Sequence, residues 1–130
     1  LNRRAEALLA RLQLESRRDE AAANLSYAEQ RALEIGVTVA GGAQVILLDE
    51  PTAGMSRSET ARCIELIRDL SAGKTLLMVE HDMGVVFGLA DRIAVLAQGE
   101  LIAFGTPAEI RADARVQQAY LGALPSLEQP

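Results

Sequence analysis

Three short runs, Val45–Leu48, Thr75–Val79 and Ile93–Ala97, have no polar face, and segments with helical spacing separate them. A strand that is apolar on both sides must be covered on both sides, as parallel strands in α/β proteins are. The order strand, helix, strand, helix, strand therefore predicts an α/β fold with a mainly parallel sheet and flanking crossover helices. With 130 residues the chain has enough length to bury one core and too little for two. A single domain, or part of one, is expected.

The intervening segments carry their own start and stop signals. Leu1, Ala5, Leu8, Leu9 and Leu12 recur at helical spacing, and residues 15–24 form a polar connection. Ser26 followed by Glu29 is a capping-box pattern, so a helix is expected from there to about Ala40, stopped by Gly41-Gly42. Pro51 and Gly54 make a turn, and Ser56 with Glu59 repeats the capping pattern before Ala61, Ile64, Ile67 and Leu70. Met83, Val86, Phe87 and Ala90 mark a short helix. Gln98-Gly99-Glu100 is a hairpin turn into Leu101–Phe104, and Thr106, Pro107 and Glu109 open another helix. A last helix is expected from Asp113 to Leu121, followed by a flexible tail over 123–130.

Charge and cysteine usage narrow the function. The net charge of −5 and the absence of a basic stripe argue against a nucleic-acid partner. Lys74 is the single lysine, and the arginines are spread from Arg3 to Arg115. One cysteine, Cys63, excludes an internal disulfide and fits inert core packing beside Ile64 and Ile67. No signal-peptide pattern opens the chain. Its longest weakly polar stretch, Ile35–Leu48, is too short and too broken to cross a bilayer.

Chemistry concentrates at three places. The run Val45–Leu48 ends in Asp49-Glu50, and such a pair at a strand end suits metal-assisted phosphate chemistry, one carboxylate holding hydrated Mg²⁺ and the other orienting a water. In Leu25-Ser-Tyr-Ala-Glu-Gln-Arg31 a hydroxyl sits at a helix start, where free N–H groups and the helix dipole attract anions. His81 follows the second strand. Each has a plainer alternative: a strand end before a proline turn, a helix cap made by Ser26 with Glu29, and a satisfied surface histidine. Their order and context favour the chemical reading.

These motifs resemble those of the nucleotide-binding domains of ATP-binding-cassette (ABC) transporters. Leu25–Gln30 is similar to the signature motif, Val45–Glu50 to Walker B, and His81 stands at the position of the switch histidine. Leu-Ser-Tyr, Glu80-His-Asp-Met83 and Gln118-Ala-Tyr-Leu-Gly122 are similar to the ATPases of branched-chain amino acid importers. The resemblance implies that Asp49 binds Mg²⁺ through water and that Glu50 and His81 are catalytic, Glu50 as general base and His81 as γ-phosphate sensor. It also implies that Ser26, Ala28, Glu29 and Gln30 contact ATP bound mainly by an opposite subunit, with Gly54 and Ser56 in the turn across the dimer interface. A second ABC ATPase subunit and membrane permease subunits are the implied partners, on the inner face of the cell membrane. Related urea or amide importers and lipopolysaccharide exporters share parts of this pattern.

Three departures qualify the resemblance. Ala28 stands where the signature usually has Gly, and Ser56 where many members have an acidic residue. These residues also contain no Walker A loop. Gly73-Lys74-Thr75 matches only its last triplet, because Arg68 occupies the first glycine position and the triplet leads from a helix into a strand. Gly73 is therefore expected to end a helix, and Lys74 to lie on the surface. The expected division is the end of a helical subdomain over 1–41, a core over 42–106 and C-terminal helices over 107–122. The chain is thus expected to be the C-terminal part of a P-loop ATPase domain, unable to hydrolyse ATP alone. The alternative is a non-catalytic module that pairs with a full-length ATPase.

Overall fold

The computed structural model describes residues 2–120, which divide between Glu80 and His81 into two compact units. In the first unit, α1 (Arg3–Arg11) starts at Asn2, whose side chain accepts from the Arg4 amide. Two 3-10 turns, Glu15–Arg17 and Ala22–Asn24, fill the polar connection. Helix α2 (Tyr27–Ala40) and helix α3 (Arg57–Leu70) both begin with complete capping boxes, from Ser26 with Glu29 and from Ser56 with Glu59. These boxes satisfy amides that a helix start otherwise leaves open.

Between the helices lies β1 (Val45–Asp49), which pairs in parallel with β2 (Thr75–Val79), so that Val45 meets Thr75 and Asp49 meets Val79. The connection through α3 is the expected crossover. Helices α2 and α3 pack together. Their buried residues, Ile35 and Val39 from one and Cys63, Ile67 and Leu70 from the other, join Ile46 of β1 in the interior of this unit. Gly36 permits a close approach, since a Cβ there would stand 2.5 Å from Leu12 Cδ1. Leu12, just past α1, is thereby buried against α2.

The second unit starts with α4 (Met83–Leu89), capped by Asp82, whose carboxylate accepts from the Gly84 and Val85 amides. Strand β3 (Ile93–Ala97) returns through Gln98-Gly99 to β4 (Glu100–Gly105). The pair is antiparallel, with an irregularity between Val95 and Leu96. Helices α5 (Pro107–Ala112) and α6 (Ala114–Ala119) close this unit. Ile93, Val95, Ala103, Ile110 and Val116 form its core, and the Arg111 guanidinium lies 3.9 Å over the Phe87 ring. The end of the last expected helix, at Leu121, and the tail lie outside the described residues.

Two expectations change. Among the described residues the third strand is found in an antiparallel pair with β4, which the two-residue turn brings straight back beside it. The β1–β2 pair is also covered on one face only. Val45 and Leu47 are 58% and 66% exposed, and Leu77 and Val79 are each 61% exposed. Alternation along both strands puts these four on the same side. Among the described residues, nothing supplies the second layer. No described helix is long and apolar enough to cross a membrane.

An apolar dye should therefore fluoresce strongly on the native chain. Leu47→Lys with Leu77→Lys should suppress most of that signal while changing stability by no more than about 0.5 kcal/mol each, the usual scale for exposed positions. Dye titration beside urea unfolding checks both statements.

Candidate functional site

The acidic pair sits where a strand stops being a strand. Asp49 is the last residue of β1, and Glu50 turns into the left-handed region at φ 43°. For a residue with a Cβ this conformation costs on the order of 1–2 kcal/mol, so surrounding contacts must hold it. The Glu50 amide donates to the Val79 carbonyl at 2.8 Å, and the Glu50 carbonyl accepts from the Ala53 amide at 3.1 Å. Both side chains of the pair belong to exposed residues. Gly54, at φ 77°, then supplies a second left-handed turn that glycine adopts without strain.

Three residues that the motif pattern did not single out fix this bend. Arg31, on the first turns of α2, donates through Nη2 to the carbonyls of Asp49 at 3.1 Å and Glu50 at 3.5 Å. Glu80, just past β2, accepts from the Thr52 amide at 3.2 Å and from its hydroxyl at 2.7 Å. Thr52 is the buried polar residue of this unit. Beneath the turn, Cys63 Sγ lies 4.0 Å from the Pro51 carbonyl, and burial pushes its thiol above the usual range. Cys63 is thus core packing. The available signal for Glu80 was register: pairing Asp49 with Val79 sets residue 80 beside the turn.

Ser26 caps α2. Its Oγ accepts from the Glu29 amide at 3.3 Å, and its own amide donates to Glu29 Oε2 at 2.8 Å. That amide, together with the Ser26 hydroxyl, holds the Glu29 carboxyl below its ordinary range, with a smaller contribution from Arg17 at 3.3 Å. Ala28 lies in the helix's first turn, where right-handed backbone gives glycine no advantage. The Gln30 side chain turns back to the carbonyls of Ala22 and Leu25, at 3.2 and 3.1 Å. Ser56 and Glu59 make the same reciprocal cap at α3, with amide-to-carboxylate and amide-to-hydroxyl distances of 2.8 and 3.4 Å.

The first unit brings several of the expected residues together. Ser26, Ala28 and Glu29 line an open groove of about 850 Å³ with Met55, Glu59 and Cys63. A Cβ built on Gly54 would lie 3.9 Å from the Tyr27 ring. Arg31 binds the same helix to Asp49 and Glu50. His81 begins the second unit, exposed, immediately before the Asp82 cap of α4. Lys74 is not a phosphate ligand in waiting: its Nζ donates to the Ala43 carbonyl at 3.0 Å, and Gly73 at φ 71° forms the turn after α3. No three His, Cys, Asp or Glu side chains converge on a metal position among the described residues. A single carboxylate at a strand end still fits Mg²⁺, which keeps waters and takes its remaining ligands from phosphate.

Comparison with known proteins gives a consistent picture. The family described as ABC transporter matches residues 1–53, and the family described as branched-chain amino acid ATP-binding cassette transporter matches residues 100–123. The high-affinity branched-chain amino acid transport ATP-binding protein LivG of Salmonella typhimurium is 43% identical over 121 residues, 92% of this chain and 48% of LivG. The lipopolysaccharide export system ATP-binding protein LptB of Escherichia coli is 38% identical over 122 residues, 92% of this chain and 50% of LptB. The chain therefore spans about half the length of these curated relatives. The solved ADP conformation of an ATP-binding cassette of an ABC transporter superposes with a TM-score of 0.80 at 28% identity, over 92% of this chain and 49% of that one.

The capping boxes give a pH signature. A carboxylate whose folded pKa is lowered adds stability that is complete above its unfolded pKa and is lost as pH falls through the lowered folded value. Glu29, Glu59 and Glu109 all follow this sign. Ser26→Ala should raise the Glu29 titration midpoint toward the ordinary carboxylate range and leave Glu59 and Glu109 unmoved. Carbon-detected NMR titration of the three carboxyls measures it.

Proposed function

Because this chain belongs to the ABC transporter family, we propose that it supplies the signature helix, the Walker B pair and the switch histidine of an ATP-hydrolysing subunit that drives solute import. What carries the reading is the hydrogen bond from Arg31 on the Ser26-capped helix to the carbonyls of Asp49 and Glu50. It ties the helix expected to face a neighbour's ATP to the turn expected to activate water.

In this reading two such subunits close head to tail. The exposed Asp49 carboxylate holds Mg²⁺ through water, which supplies charge neutralisation to the phosphates when bound. Glu50, at the left-handed bend that follows β1, takes the proton of the attacking water. Ser26 keeps a hydroxyl hydrogen to donate to the γ-phosphate even while its oxygen accepts from Glu29. His81 contacts a γ-phosphate and senses its loss, and Gly54 and Ser56 lie across the subunit interface. Permease subunits on the inner face of the membrane receive the motion.

The match over residues 100–123 and the likeness to LivG support branched-chain amino acids as the cargo of the assembly. A second reading, an export ATPase, is favoured only by the likeness to LptB. Co-purification with permeases of one kind or the other separates them.

These 130 residues hold no phosphate-binding loop, so they should show no ATP turnover by themselves. Joined to the first half of a LivG-type relative, they should turn over ATP, and Glu50→Gln should lower kcat by about 100-fold or more, the scale of a lost general base. A chimera whose rate ignored Glu50→Gln would overturn the assignment of the base.

A further inference from the structure

We infer that Arg31 is a positioning residue for Glu50, an inference that rests on the reading of Glu50 as the base. Successive carbonyls of an extended strand point to opposite sides. Those of Asp49 and Glu50 instead both lie within reach of a single nitrogen, Arg31 Nη2, at 3.1 and 3.5 Å. The left-handed turn at Glu50 makes them converge, and the guanidinium holds them converged.

The donor is itself held. Arg31 Nη1 donates to Glu34 Oε2 at 2.8 Å, one helical turn along α2, so one end of the planar group stays on its helix while the other reaches the bend. A left-handed residue with a side chain persists only where its surroundings over-determine it. The Glu50 amide is fixed by Val79 and the Thr52 side of the turn by Glu80. The two carbonyls on the near side take their side-chain contact from Arg31. Arg31 thus sets the direction in which the Glu50 Cα–Cβ bond leaves the backbone without touching any reacting atom.

The test uses the full 130-residue chain, labelled for NMR and free of nucleotide. Arg31→Ala should speed amide exchange at Glu50 by about tenfold, the scale of a lost charged hydrogen bond. It should also move the Glu50 HN–Hα coupling off its left-handed value, with the Ile46 to Leu48 amides unchanged. Arg31→Lys, which keeps a charged donor, should recover part of the protection, and Glu34→Ala, which releases one end of the guanidinium, should lose a smaller part of it than Arg31→Ala. If Arg31→Ala does not fold, Arg31→Gln gives the same comparison against Arg31→Lys. A folded variant lacking the charge, with Glu50 coupling and exchange as in the parent, would overturn the inference. Because the signals are read without ATP, that outcome would leave the base assignment standing, whereas a chimera indifferent to Glu50→Gln would remove the base and leave the backbone tie.

Discussion

The parallel pairing of β1 with β2 runs one hydrogen bond beyond the last strand residue, from the Glu50 amide to the Val79 carbonyl, and the arrangement of the first unit follows from it. That bond anchors the bend while the chain leaves the sheet. It places residue 80 beside residue 52, so the Glu80 carboxylate can take both the amide and the hydroxyl of Thr52. With the far side of the turn secured, the carbonyls of Asp49 and Glu50 are presented to α2, where Arg31 meets them. A parallel pair requires a crossover, and α3 provides it while closing the floor of the turn with Cys63. One register thus organises strand, bend, α2 and crossover.

Local signals were legible wherever one short segment decides its own conformation. Capping boxes at Ser26, Ser56 and Thr106 set three helix starts as expected, because the reciprocal bonds span only three residues. Glycine pairs, proline and apolar runs gave the remaining boundaries in the same way. Partnership between segments was less legible. Three apolar strands in an α/β order suggest one sheet, but β3 lies next to β4 in the chain, and a hairpin needs no crossover. Two-sided burial was expected of strands with no polar face, yet the described residues cover only one side of β1 and β2. That mismatch accords with a chain that matches about half of LivG.

The candidate site divides in the same way. Asp49, Glu50, Ser26 and His81 were visible because each stands at a fixed place relative to a strand or helix end. Arg31, Thr52 and Glu80 were not, since their value lies in whom they touch across 18 to 28 positions of sequence. An arginine after a helix start and a threonine after a proline look ordinary until the β1–β2 register brings them to one bend. Lys74 shows the converse: it sits in a suggestive triplet, and its contact with Ala43 disposes of the suggestion.

The cap at Ser26 sets an electrostatic condition on any phosphate that approaches α2. The helix start offers amides and a positive dipole end, but the Glu29 carboxylate already occupies the Ser26 amide at 2.8 Å and brings its own negative charge. Arg17, 3.3 Å from Glu29, offsets part of that charge at the exposed mouth of the groove. A γ-phosphate approaching this end would therefore meet a competitor as well as a donor. If the phosphate takes the Ser26 hydroxyl hydrogen, the oxygen can still accept from the Glu29 amide, so the helix keeps half of its box. If it takes the Ser26 amide, the carboxylate must swing away, and Arg17 is placed to receive it. A phosphate bound head to tail from another subunit would then be held by exchanging the acidic half of a cap, while α2 remains fixed at Arg31 to the turn proposed to carry the base.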